Sequence, residues 1–287
     1  MSKLIEPATA DRFQNILGIS CVENHVLMFL MQNNIDIRPL YEDSLIPLSE
    51  MIVEKIVLGK KYTDKGIVPR IHEQLRESGQ LIMEMKNTSV IGLVKLAGKY
   101  EKRNMVLIQI TPKFAKTELH TRAWRNDHFV RLVGSDGELL VLNDIPSLWR
   151  PVSLKELNSA YIGRILYFEL PDKPFEVSVN TKALEKIYDS CDINKYKDMC
   201  KNHMSMQKLH NLLLYYKTMR HRAKDYAGQF INSEFMSEPL KNLEALLMKA
   251  SYMMLHGQHD LAGEYEILKQ LCKIDIDIQD LLRSNLE

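Results

Sequence analysis

The chain has 287 residues, 45% of them hydrophobic and 26% charged, and its 38 Lys and Arg side chains nearly cancel 37 Asp and Glu. This is ordinary globular composition at a length that suits one large domain plus an appendage, with no net field of either sign to gather nucleic acid or an anionic membrane surface, so neither is expected as a partner. The start, "MSKLIEPATADRF", lacks a basic stretch followed by an apolar one, and the run "VLMFLM" is too short to cross a bilayer, so the expected location is the cytoplasm.

In chain order, residues 21–33 carry apolar side chains at Val22, Val26, Phe29 and Leu30, with Leu27, Met28 and Met31 between, which predicts a deeply buried helix ending at "NNID". "SEMIVEKIVL" and "PRIHEQLRES" read as short helices and "GQLIMEMKN" as a strand. A helix over "VIGLVKLAGKYEKR" leads into "NMVLIQITP", a β-branched apolar run suited to a central strand. The segment "KFAKTELHTRAWRND" reads as a loop, followed by strands "HFVRLVG", "ELLVLND" and "RILYFEL". From Thr181 onward only helical periodicity remains, and the proline-bearing "LPDKPFEVSVNTK" is the expected boundary. The fold class expected is α+β, with a domain over 1–175 and a helical domain over 176–287.

Cys21, Cys191, Cys200 and Cys272 form no C-x-x-C pair, so free thiols are expected. Cys21 stands where the loop "ILGIS" gives way to the first helix. A thiol in a first helical turn faces unpaired N–H groups and the positive end of the helix dipole, and both favour the thiolate. Burial of Cys21 as a packing residue is the competing interpretation.

A base is offered by "NDHFVRLVGSDGELLVLNDIP", where two alternating runs flank a turn. A three-residue loop with Gly137 in the left-handed position sets Leu132 opposite Leu140 and His128 opposite Asp144. Cross-strand neighbours on one face have Cβ atoms about 4.5–5.5 Å apart, close enough for Asp144 to orient the His128 imidazole. A two-residue turn instead opposes Asp144 to Phe129 on the other face, unless a bulge intervenes. Nucleophile, base and orienter in this relation are the parts of covalent acyl-transfer catalysis.

Taken together, "GISCVENHVLMFLMQNN", "HFVRLVGSDGELLVLND" and "RPVSLKELNSAYIGRILYFEL" resemble the butirosin-biosynthesis acyltransferase family, a natural-product-associated group with the papain-like fold of bacteriocin-processing cysteine peptidases. The resemblance covers about residues 14–170. It implies a central Cys helix packed on an antiparallel sheet, with Cys21, His128 and Asp144 as nucleophile, base and orienter. The activity implied is acyl transfer from a carrier-protein or coenzyme thioester to a small-molecule amine acceptor, beside nonribosomal peptide and antibiotic pathways. Gln14, seven positions before Cys21, stands near where the papain-like enzymes place an oxyanion donor, and a surface residue is the equal alternative; the backbone N–H of Cys21 is the more general donor. Val22 replaces the glycine that follows the nucleophile in many peptidases, which favours the acyltransferase branch over a peptidase or amidase. A binding scaffold with lapsed chemistry is the non-enzymatic alternative.

Other residues are weighed beside these. His25 lies on the Cys21 face of the helix and is a candidate for a direct or substrate-binding role, although a base from the facing sheet is the commoner arrangement, and Glu23 and Asn24 are candidates to line a pocket. His120 and Trp124 sit in the loop before His128 and are candidate substrate contacts, while Trp149 and Arg150 follow Asp144 and read as packing. "YYKTMRHRAKDY" is locally basic; a solvated helix face is the plain interpretation, and a docking surface for an acidic carrier protein is the sharper one. No metal-ligand cluster or Gly-rich phosphate loop appears in the sequence, so no cofactor is expected. The Met- and Leu-rich terminal helices suggest a homodimer.

Overall fold

The computed structural model describes residues 17–62, 64–97, 103–118, 128–136, 139–144, 148–173, 175–189, 193–257 and 260–287. The described residues form a mixed α+β fold whose carboxy-terminal portion is helical, built as two units. The first groups residues 1–36 with 70–176, and the second groups 37–69 with 177–287. Residues 37–69, expected with the amino-terminal domain, instead fold with the helical portion. Their apolar residues Tyr41, Leu45, Met51 and Ile56 are buried, and their helices contact the helix Met206–Ala227 of the second unit.

The first unit holds α1 (Cys21–Gln32), α3 (Ile71–Glu77), β1 (Ile82–Asn87), α4 (Val90–Ala97), β2 (Asn104–Ile110), α5 (Pro112–Glu118), β3 (His128–Asp136), β4 (Leu139–Asp144), β5 (Leu148–Ser153), α6 (Leu154–Ala160) and β6 (Tyr161–Glu169). The six strands make one antiparallel sheet in the order β1-β6-β2-β3-β4-β5. β2 is interior and its two faces are both apolar: Val106, Ile108 and Ile110 face one way, and Met105 and Leu107 the other. The first face packs with Val130, Leu132 and Ile165 under Leu93 of α4, Phe114 and Ala115 of α5 and Leu157 and Ala160 of α6. α1 packs against β3, and Arg131 on the second face donates to Gln32 of α1.

Three elements, α5, β5 and α6, differ from the sequence reading. The segment read as a loop begins with α5, whose Phe114 and Ala115 are buried. β5 was not anticipated, because it contains Pro151; a proline removes a ladder donor and is tolerated on an edge strand, which is where β5 lies. The helix after it is announced by a capping box in which Ser153 Oγ accepts from the Glu156 N–H and the Glu156 carboxylate accepts from the Ser153 N–H.

The second unit holds α2 (Leu48–Ile52), which continues as a π-helical turn (Val53–Val57), then α7 (Ile193–Lys201), α8 (Met206–Ala227), α9 (Ser237–Leu255) and α10 (Leu261–Leu286). Its polar centre is Asp275 of α10, fully buried, which accepts from Arg220 Nε and Nη2 at 3.0 and 2.8 Å, from Tyr216 Oη at 2.7 Å and from Gln279 Nε2 at 2.7 Å. Arg222 donates to Ser44 and lies over the Tyr41 ring. The stretch "YYKTMRHRAKDY" is therefore largely internal, with Arg220 and Arg222 buried. Lys217 pairs with Glu244 and Lys224 with Glu234. Neither a solvated face nor a basic docking surface describes it. Among the described residues no helix is long and apolar enough to cross a membrane.

Candidate active site

Cys21 is the first residue of α1, half-buried, with Ser20 as the N-cap whose side chain accepts from the Glu23 N–H at 3.2 Å. The loop in front is fixed by the two residues that follow. Asn24 Oδ1 accepts from the Gly18 N–H at 2.9 Å, and a Cβ on Gly18 would lie 2.3 Å from that same oxygen, so the close approach demands glycine. Glu23 is fully buried, and its carboxylate accepts from the Ile19 N–H at 2.6 Å and from the Ile71 N–H of α3 at 2.9 Å. Glu23 and Asn24, considered as pocket-lining groups, are instead braces: they order the loop and tie it to α3, so that the thiol is presented on a rigid turn.

His25 is completely buried on the Cys21 face of α1. Its pKa is pushed down to about 3, first by burial and then by the charges of Arg131 and His128, with the Phe129 main chain opposing weakly. Among the described residues neither ring nitrogen reaches hydrogen-bond geometry with a partner. His25 is thus a neutral packing group at physiological pH. The nearby His72 of α3 is also buried and held low by desolvation, against the raising influence of Glu23.

β3 runs alongside α1 in order: His25 is near Phe129 and Arg131, and the Arg131 guanidinium lies 5.8 Å from the Phe29 ring and donates to Gln32. The first residue of β3, His128, is half-buried and opposes Ile110 of β2. The amino-terminal turn of α1 and the first residue of β3 therefore lie at one end of the unit, and the charge of His128 is felt at His25, one helical turn beyond Cys21. The pleat assigns His128 to the face of Val130 and Leu132, away from Phe129 and Arg131 beside α1. The strand pleat thus turns the His128 position away from the face that carries α1 and Cys21.

The hairpin register corrects the sequence reading. The connection spans two residues rather than three, since Asp136 pairs with Leu139, and a bulge between Leu132 and Gly134 shifts the pairing so that Leu132 opposes Leu142 and Arg131 opposes Asn143. Asp144 is the next strand position, opposite Leu148 on its other side. Extending the β3–β4 register sets it across from Val130, two pairs away from the His128 position but of the same pleat parity. The direct opposition of His128 and Asp144 does not occur, and the bulge keeps both positions on one face. Trp149 and Arg150 are strand positions opposite Asn143 and Leu142. Gln14, His120, Trp124, Gly137 and Cys191 lie outside the described residues.

Arg131 was not singled out in the sequence. An arginine inside an otherwise apolar alternating run, "HFVRLV", is the signal, because a buried charge in a strand needs specific partners. Among the described residues no group of three or more His, Cys, Asp and Glu is placed to hold a metal ion. No protein-family model matches the chain, and no curated protein matches it.

Proposed function

We propose that the chain is a cysteine-dependent acyltransferase built on a papain-like fold, which moves an acyl group from a carrier-protein or coenzyme thioester to an amine acceptor in natural-product biosynthesis. One observation carries the reading: a capped helix opens on Cys21 with its preceding loop braced by two side chains, at the end of the sheet where β3 opens on His128. The Cys21 thiolate attacks the thioester carbonyl, and the oxyanion is held by N–H groups of the first turn. Collapse expels the donor thiol, which takes its proton from the His128 imidazolium. The amine then attacks acyl-Cys21 as His128 accepts its proton, and the thiolate is released. Asp144, on the next strand and of matching pleat parity, orients the imidazole.

The test is the iodoacetamide alkylation rate of each cysteine against pH, followed by mass spectrometry, in the natural sequence and in His128→Ala. Cys200 and Cys272 are buried, with the Cys200 thiol pushed up to about 11 by burial, and serve as slow internal references. A Cys21 rate that levels off well below the pH range of an ordinary thiol, and loses that behaviour without His128, supports the reading. An ordinary thiol profile in both proteins removes it.

A further inference from the structure

Among the described residues β1 is an outer strand of the sheet, hydrogen-bonded to β6 on one side only. It is also unusually bare: Met85 is 61% and Ile82 41% exposed, and the side chains of Glu84 and Lys86 are 48% and 54% exposed. Bare edges are ordinarily blunted by charge, proline or a bulge, because their free N–H and C=O groups template pairing with another chain. Here the blunting residues are one of each sign, Glu84 and Lys86, which pair with one another within the strand.

The backbone fixes which groups are free. The Thr88 N–H donates to the Gly163 carbonyl of β6 at 3.0 Å, one step beyond the regular register in which Asn87 opposes Arg164. Residues of even number therefore turn their backbone groups toward β6, and Met83, Met85 and Asn87 turn theirs outward. We propose that this edge pairs with the β1 edge of a second copy of the chain, antiparallel and two-fold symmetric about Met85, joining two sheets into one.

Three facts converge on that register. The outward-facing residues become hydrogen-bonded pairs, Met85 with its own mate and Met83 with Asn87, each exchanging both of its backbone bonds. Glu84 of one copy then meets Lys86 of the other in the non-hydrogen-bonded position, where Cα atoms stand about 4.5 Å apart and opposite charges attract. The symmetry generates this attraction twice, so the charges that guard the edge against a chain of uniform sign select this chain itself. Ile82 falls across from Thr88. The intramolecular Glu84–Lys86 pair and the Lys86 ammonium over the Tyr167 ring are exchanged for the cross-copy pairs.

Sedimentation of the full chain across the micromolar range tests this, using the natural sequence, Lys86→Glu, and the swap Glu84→Lys with Lys86→Glu, with circular dichroism to verify folding. The expected result is a dimer that Lys86→Glu weakens by about tenfold or more, because both symmetric pairs become Glu–Glu, and that the swap restores. A monomer throughout overturns the proposal. So does a dimer indifferent to Lys86→Glu, which places the interface elsewhere, for example on the exposed Met248, Tyr252 and Leu255 of α9. Weakening that the swap fails to restore overturns the register.

Discussion

At the scale of single residues, His25 links burial at the candidate site to stability. Its pKa in the fold is about 3 and in an unfolded chain about 6.5, so the unfolded state binds the proton first as pH falls. The contribution is fully present above about pH 6.5 and is lost progressively as pH falls toward 3, at a slope approaching 1.4 kcal/mol per pH unit. We predict that His25→Leu, which also removes two ring nitrogens without hydrogen-bond partners among the described residues, lowers this acid sensitivity. The check is urea denaturation of both proteins at several pH values from about 4 to about 7. His72, His210 and His221 also have lowered pKa values through burial, and they cancel in the comparison. Equal losses in the two proteins would exclude a buried neutral His25. The i, i+4 relation of Cys21 and His25 was legible in the sequence because it is local. The bracing role of Glu23 was not, because its second partner, Ile71, is 48 residues away and donates through a backbone N–H that any residue possesses.

Among elements, the hairpin shows where local signals run out. "SDG" flanked by alternating runs correctly marks a turn between strands, yet the pairing depends on whether Asp136 continues the strand and where the extra residue is absorbed. The bulge after Leu132 decides both, and it answers to the packing of Val130 and Leu132 under α4, α5 and α6 rather than to the turn residues. The α8–α10 contact is similar: each helix is legible from its periodicity, but the buried link between Asp275 and Arg220 spans 55 positions. Removing one partner leaves the other charge buried and uncompensated. We predict that Asp275→Ala costs about 3–5 kcal/mol, whereas Asp275→Leu combined with Arg220→Met recovers much of that loss. Chemical denaturation of Asp275→Leu, Arg220→Met and the double variant gives the coupling energy directly. Additive losses would mean that Arg220 finds adequate solvation without Asp275.

For the molecule as a whole, the chain passes between its two units at residues 36/37, 69/70 and 176/177, so neither unit is a continuous segment. The last crossing coincides with a proline-bearing stretch that sequence reading can find. The earlier two have no such mark. Residues 37–69 are apolar enough to belong to any core, and what assigns them to the helical unit is a set of long-range partners: the Ile46 carbonyl accepts from Arg220 at 2.9 Å, Ser44 accepts from Arg222 at 2.9 Å, and the Lys55 ammonium sits 3.9 Å from the Tyr215 ring centroid. A fragment ending at residue 176 keeps the whole sheet and α1 but strips those partners from 37–69. Tyr41, Leu45, Leu48, Met51, Ile52 and Ile56, all buried in the full chain, then face water. Contiguous apolar surface of that kind drives association. We therefore predict that the 1–176 fragment binds a hydrophobic dye and aggregates, and that replacing 37–69 in it by a flexible linker restores a monodisperse product with the strand signature of the sheet. If the unaltered fragment is monodisperse and binds no dye, residues 37–69 have an alternative site to pack, and the α+β unit is more self-sufficient than its contacts indicate.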